Sequence, residues 1–225
     1  MTAARNNLII CSAGSRSLHH TWIDGDAQRN WDLYLLPYQT FSIPNQRDIK
    51  IGAVTSDPKY AAYHSLLTRN PWWSKYHNVM LVDEDIFAMP GTWSRFFDCM
   101  DGLPALMAAP ALTPNSIFSH PVTVQQPGSH VRRVSFIEGM MPCFRSDVLW
   151  QLLPTFLADP TGMGWGIDYV WPKLLDYRDI YVVDATPVTH WRPATYTRSY
   201  WPEVEAVLKM YHAEDRPEVT YEIVQ

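Results

Sequence analysis

The sequence predicts an α/β domain built on a mainly parallel, doubly wound sheet with helices on both faces. Short apolar runs alternate with amphipathic helical segments, the pattern of repeated strand and helix units. The runs Leu8-Ile9-Ile10-Cys11 and Val79-Met80-Leu81-Val82 are continuously apolar, as buried strands are. Both stop abruptly, one on the small residues Ser12-Ala13-Gly14 and the other on the acids Asp83-Glu84-Asp85. Open α/β sheets bind ligands at such carboxyl ends of strands.

Leu8 to Cys11 forms the first strand, and Ser12-Ala13-Gly14-Ser15 is a turn small enough to let a ligand approach the backbone. A polar helical segment with Leu18, Trp22 and Ile23 follows. Trp31 to Leu36 reads as a second strand that Pro37 closes, and Ile49 to Val54 as a short third one. Ser56-Asp57-Pro58 announces a helix, with Ser56 or Asp57 as cap and Pro58 in the first turn. Tyr60, Tyr63, His64 and Leu67 give that helix one packing face. Pro71-Trp72-Trp73 breaks it ahead of the strand that carries the acids.

Gly91 to Met100 should be helical with Trp93, Phe96, Phe97 and Met100 inward, and Leu106 to Ala109 begins another strand. The stretch from Pro110 to His130, rich in Pro, Ser, Gln and Gly, reads as a long functional loop. Val131 to Ile137 returns to strand character, and Ser146-Asp147 caps a helix through Phe156. Gly164-Trp165-Gly166-Ile167-Asp168 opens a helix through Leu175. The strand Ile180 to Asp184 leads on to His190, and Trp201 to Tyr211 forms a last amphipathic helix.

One domain is expected from 225 residues, with no repeat or linker. A net charge of -5 argues against a general nucleic-acid binder, which needs a basic field. Cys11, Cys99 and Cys143 are odd in number and far apart, which suits a reducing compartment, with the cytoplasm as default. No apolar run approaches the roughly 18 to 20 residues of a membrane span, and the polar start, Met1 to Asn7, lacks a leader pattern; peripheral work at a membrane surface stays open.

Three constellations carry chemistry. Carboxylates two apart at the end of a rigid strand, Asp83 and Asp85, can hold Mg²⁺ or Mn²⁺, and such cations commonly hold nucleotide phosphates. Equally, acids there can cap a helix or face water. In Gly164 to Asp168 the glycines permit an unusual backbone path, Trp165 offers a flat apolar face, and Asp168 at a helix start can take a proton from a hydroxyl. The plain alternative makes Asp168 a cap and Trp165 a core anchor. His190, at a strand exit, is an acceptable Mn²⁺ ligand or a structural residue; His19-His20 reads as surface.

In this order, the turn Ser12 to Ser15 with Arg16-Ser17-Leu18-His19 and Trp22, the triplet Asp83-Glu84-Asp85, Gly164 to Asp168, and Val182-Val183-Asp184 before His190 resemble the GT-A glycosyltransferases. The likeness runs from about Asn7 to His190 and is closest to a group that usually carries Asp where Glu84 stands. It implies a nucleotide-diphosphate-sugar donor, often a uridine one, with Mn²⁺ or Mg²⁺, and a carbohydrate or glycan acceptor. By the resemblance, Ala13, Gly14, Arg16, Lys59, Asp83 and Glu84 approach the donor, and Asp83, Asp85 and His190 serve the metal. Glu138, Gly139, Trp165 and Gly166 face the acceptor, and Asp168 is the base of an inverting reaction. Residues 7–110 would form the donor half and 111–225 the acceptor and catalytic half. Rival readings are a carbohydrate- or nucleotide-sugar-binding protein without turnover, a nucleotidyltransferase and a metal-dependent hydrolase.

Overall fold

The computed structural model describes residues 5–23, 29–42, 48–193 and 198–224; part of the polar start, residues 1–4, lies outside them. The first half of the sheet is parallel. β1 (Asn7–Ala13), buried from Leu8 to Cys11, lies between β2 (Trp31–Pro37) and β4 (Asn78–Asp83), with β3 (Ile49–Ile51) outside β2. Register places Ser12 beside Asp83, so the small-residue turn and the acids leave the sheet together.

The sheet order is β10-β7-β9-β6-β8-β4-β1-β2-β3. Here β6 is Met107–Leu112, β7 Val131–Val134, β8 Cys143–Arg145, β9 Ile180–His190 and β10 Thr220–Val224. β8 runs antiparallel to both β4 and β6, so those two point the same way and the parallel set resumes with β9. β5 (Ile86–Phe87) stands off this path and pairs antiparallel with the end of β9, Ile86 opposite His190.

Helices α1 (His20–Ile23), α2 (Lys59–Arg69), α3 (Thr92–Asp101), α4 (Ser146–Leu152), α5 (Ile167–Leu174) and α6 (Trp201–Met210) complete the layers. α2 buries Tyr60, Ala62, Tyr63 and Leu67, and the Ser12 N–H donates to the Tyr63 hydroxyl at 3.0 Å, which clamps the helix to the end of β1. Trp22 of α1 meets Trp93 of α3 edge to face at 5.5 Å, and its indole N–H donates to the Ile86 carbonyl at 2.8 Å. That bond anchors the start of β5 just after the acids.

Several expected boundaries move, each for a local reason. Pro58 itself is the cap of α2, and neither Ser56 nor Asp57 makes a capping bond. The third strand stops at Ile51. The segment expected to be one helix through Phe156 is α4 followed by a 3-10 turn, Leu153–Leu157, because Pro154 has no N–H to continue the ladder. β6 continues through Pro110 to Leu112; β8 pairs it only at Met107 and Ala108, and the register to β9 shifts after Pro110, an irregularity that tolerates proline. β8 is too short to show alternation, and β10 is an exposed edge without an apolar pattern, so neither is visible in the sequence. β9 runs six residues past Asp184, which carries it to His190.

Candidate active site

A cavity of about 520 Å³ opens where β4, β9 and the start of α5 converge. Its lining brings together Lys59, Asp83, Asp85, Glu138, Gly139, Trp165, Gly166, Asp168 and His190. Ala13, Gly14, Arg16 and Glu84 are not in that lining.

One corner is ionic. Lys59, the first residue of α2, sits where the helix dipole disfavours a cation, and Asp83 offsets this by accepting at 2.9 and 3.0 Å from its ammonium. Burial raises the Asp83 carboxyl above its ordinary value, with Lys59 opposing. The β5–β9 pairing sets Asp85 against His190, Oδ2 to Nε2 at 3.5 Å. Burial works against the charge on Asp85, but His190 and Arg192 outweigh it and hold the carboxyl below its ordinary value. The His190 Nδ1 lies 2.7 Å from the Ile117 carbonyl, an acceptor that fixes a proton on Nδ1 and turns Nε2 toward Asp85. Burial lowers His190, yet Asp85 and that carbonyl more than compensate, and its basicity is raised.

The residues fit a divalent cation in part. Among the described residues no cluster of three or more His, Cys, Asp or Glu side chains is assembled for a metal. Asp85 and His190 form a facing pair, whereas Asp83 is engaged by Lys59. A cation held by few protein ligands and completed by substrate phosphates needs no larger cage.

The opposite wall holds the carboxylates of the second half. Gly164 and Gly166 have φ of +86° and +81°, and a side chain at Gly164 would collide with Tyr60 and Ile167, so this turn needs glycine. Asp159, buried, accepts from the N–H groups of Gly164 and Trp165 at 3.0 and 3.1 Å and fastens the loop. Gly166 is the cap of α5, which makes Asp168 its second residue rather than its cap. Burial raises Asp168, and His120 is the largest opposing influence. Trp165 stacks on Tyr200 at 4.4 Å, and Arg198 lies over Tyr200 at 4.2 Å, so one indole face is covered.

Lys59 links the two walls. Its ammonium also donates to the Gly139 carbonyl at 3.3 Å, and the Gly139 N–H donates to Asp168 Oδ2 at 3.4 Å. A hydrogen-bonded chain therefore runs Asp83, Lys59, Gly139, Asp168.

The residues outside the lining support the ionic corner. Glu84 accepts from the Gly14 N–H at 2.6 Å and pairs with Arg192 at 3.3 Å, while Arg192 donates to the Arg16 carbonyl at 2.9 Å. A side chain at Gly14 would have to displace the ends of Tyr38 and Gln39. Sequence reasoning missed Arg192, His120, Asp159 and the Arg198–Tyr200 arm. Arg192 lies two residues past His190, the one spacing that pointed to it.

Glu138 stands apart. Burial pushes its carboxyl up to about 7, His120 and His190 pull it down, and Asp168 and Asp83 add to the rise. Its Oε2 has no hydrogen-bond partner among the described residues. Because the folded pKa is raised, the folded chain keeps a proton that the unfolded chain loses from about pH 4.5 upward, and stability falls as pH rises to about 7. Glu138→Gln mimics the protonated form. In metal-free buffer it should leave the unfolding free energy unchanged near pH 4 and raise it at pH 8 by about 1 to 2 kcal/mol, at 1.4 kcal/mol per unit after allowance for partial exposure, with the melting temperature rising accordingly. A melting curve unchanged at pH 8 would refute this.

The sequence matches no protein-family model and no curated protein. The fold does find relatives among solved structures, and it is a GT-A-like glycosyltransferase fold. TarS of S. aureus, a GT-A-type glycosyltransferase, superimposes with a TM-score of 0.60 at 9% identity, over 92% of this chain and 39% of that one. Its 1-349 fragment gives 0.55 at 11% identity, over 81% and 58%. The same fragment in complex with UDP-GlcNAc gives 0.58 at 9%, over 91% and 64%. The chain thus spans between 39% and 64% of the length of these relatives.

Proposed function

We propose that this protein is a metal-dependent glycosyltransferase that moves a sugar from a uridine-diphosphate-linked donor to a carbohydrate hydroxyl with inversion. One observation carries the reading: a single cavity holds an ionic corner at the strand ends and a carboxylate at a helix start, joined by the Asp83–Lys59–Gly139–Asp168 chain. The fold shared with an enzyme solved with UDP-GlcNAc and with UDP supports the donor class.

In this reading Asp83, Asp85, His190 and Lys59, with the Ser12 to Arg16 turn, serve the donor, and the half from 111 onward serves the acceptor. Asp85 and His190 would hold the cation, which when bound supplies neutralisation of the diphosphate charge. The acceptor oxygen attacks the anomeric carbon while the bond to the diphosphate oxygen breaks, the electron pair leaving with the diphosphate. Asp168 accepts the hydroxyl proton. Lys59 holds donor corner and base wall in fixed relation, so part of the acceleration is positioning. Among the described residues no helix is long and apolar enough to cross a membrane, and the free thiols Cys11, Cys99 and Cys143 support a cytoplasmic setting.

Calorimetry of UDP and UDP-GlcNAc with and without Mn²⁺ tests the reading. Binding should tighten with Mn²⁺, and Asp85→Ala should remove that gain. Losing a ligand costs at least what losing an outer partner does, roughly 10- to 100-fold. Equal affinity in wild type and Asp85→Ala would remove Asp85 from the site.

A further inference from the structure

We propose that His120 is an acceptor-binding residue whose Nε2 takes a hydroxyl of a neutral, polyhydroxylated acceptor beside the one that Asp168 deprotonates. The inference rests on the glycosyltransferase reading and adds a residue and a substrate class to it.

His120 comes from the long loop after β6 and lines the same cavity as Asp168, Glu138 and Tyr169. Its Nδ1 lies 2.9 Å from Glu218 Oε1, and the Tyr169 hydroxyl donates to that same oxygen at 2.7 Å. An ionised carboxylate only accepts, so Nδ1 carries a proton toward Glu218 and Nε2 is the ring atom left to hydrogen-bond in the cavity. Nε2 makes no hydrogen bond among the described residues. The ring is packed against Phe136 at 4.4 Å and Tyr169 at 5.9 Å, so its orientation is fixed on both sides.

A purely structural histidine would need neither a carboxylate behind it nor an unbonded ring nitrogen at a cavity wall. Tyr169 follows Asp168 directly, so the group that fixes Glu218 and the proposed base share one turn of α5. His120, the Asp168 carboxylate and Glu138 lie together on the lining of the cavity and give it a polar wall. Such a wall suits a ligand rich in hydroxyls, which donate and accept hydrogen bonds alike.

The test uses the full chain with UDP-GlcNAc, Mn²⁺ and a panel of methyl glycosides as acceptor probes, reading UDP release. His120→Phe keeps the ring stack and removes the nitrogen. Glu218→Gln keeps the shape but lets the amide accompany the other tautomer. Both should raise the KM for the best methyl glycoside about tenfold, the order expected when a buried group loses its hydroxyl partner, while the calorimetric Kd for UDP stays within twofold and the melting temperature holds. In wild type, that glycoside should shift the His120 Cε1–H resonance. An active wild type whose variants keep the acceptor KM overturns the His120 assignment alone. A wild type that binds no UDP or UDP-GlcNAc overturns the parent reading, and this one with it.

Discussion

Asp168→Asn is expected to lower sugar transfer by about 10²- to 10⁴-fold, the usual worth of a positioned general base, while UDP binding in Mn²⁺ stays within twofold. The asparagine oxygen can still accept from the Gly139 N–H, so the Lys59–Gly139 link to the donor corner survives and only proton acceptance is lost. Burial raises the Asp168 carboxyl above its ordinary value despite His120, the Gly139 N–H and Lys59. The carboxylate must be ionised to act, so transfer should climb with pH through a limb lying above the ordinary aspartate range, and Asp168→Asn should erase that limb. Single-turnover UDP release across pH reads both effects. Transfer at wild-type rate in the variant would move the base elsewhere, with Glu138 and His120 on the same wall as the next groups to test.

Much of the fold was legible because its central strands are buried on both faces and leave continuous apolar runs. β1 and β4 and their acidic or small-residue ends are such cases, and so is α3, whose Trp93, Phe96, Phe97 and Met100 repeat at helical spacing. Elements without that imprint stayed hidden. β8 pairs through three residues, and β10 is an exposed edge whose partner is more than eighty residues away. In the site, residues next to strand ends could be read because a strand end is a fixed mount. Asp83, Asp85 and His190 are of this kind, Asp168 was legible instead from the glycine turn before its helix, and one cavity receives all four. What the sequence could not show is pairing across the chain. Lys59 on Asp83, Glu84 on Gly14 and Glu218 behind His120 are partners 24, 70 and 98 residues apart. No local spacing encodes them.

Asp184 shows how the same motif reading can point to a residue without revealing its task. It stood in the Val182-Val183-Asp184 run ahead of His190, yet it lies inside the sheet, its side chain 0% exposed and paired with an equally buried Arg132. Arg132 donates to both carboxylate oxygens at 2.8 and 3.0 Å, to the carbonyls of Val122 and Val124 at 2.9 and 2.8 Å, and to the Thr220 hydroxyl at 3.4 Å. Those five bonds match the five N–H donors of a guanidinium. Asp184 in turn accepts from the Gln126 N–H at 2.9 Å. The pair thereby fastens to β9 the loop that carries His120. Removing one partner of a buried pair strands the other charge, so Asp184→Ala should cost about 3 to 5 kcal/mol. For a chain of this size that corresponds to a melting temperature lower by roughly 6 to 20 °C. Replacing both partners, Asp184→Leu with Arg132→Met, should cost less than Asp184→Ala alone, because no unpaired charge remains. Chemical denaturation of the three proteins separates the outcomes. A loss under about 1 kcal/mol in Asp184→Ala would mean that water or another acceptor replaces the carboxylate, and that the loop is held by its carbonyls alone.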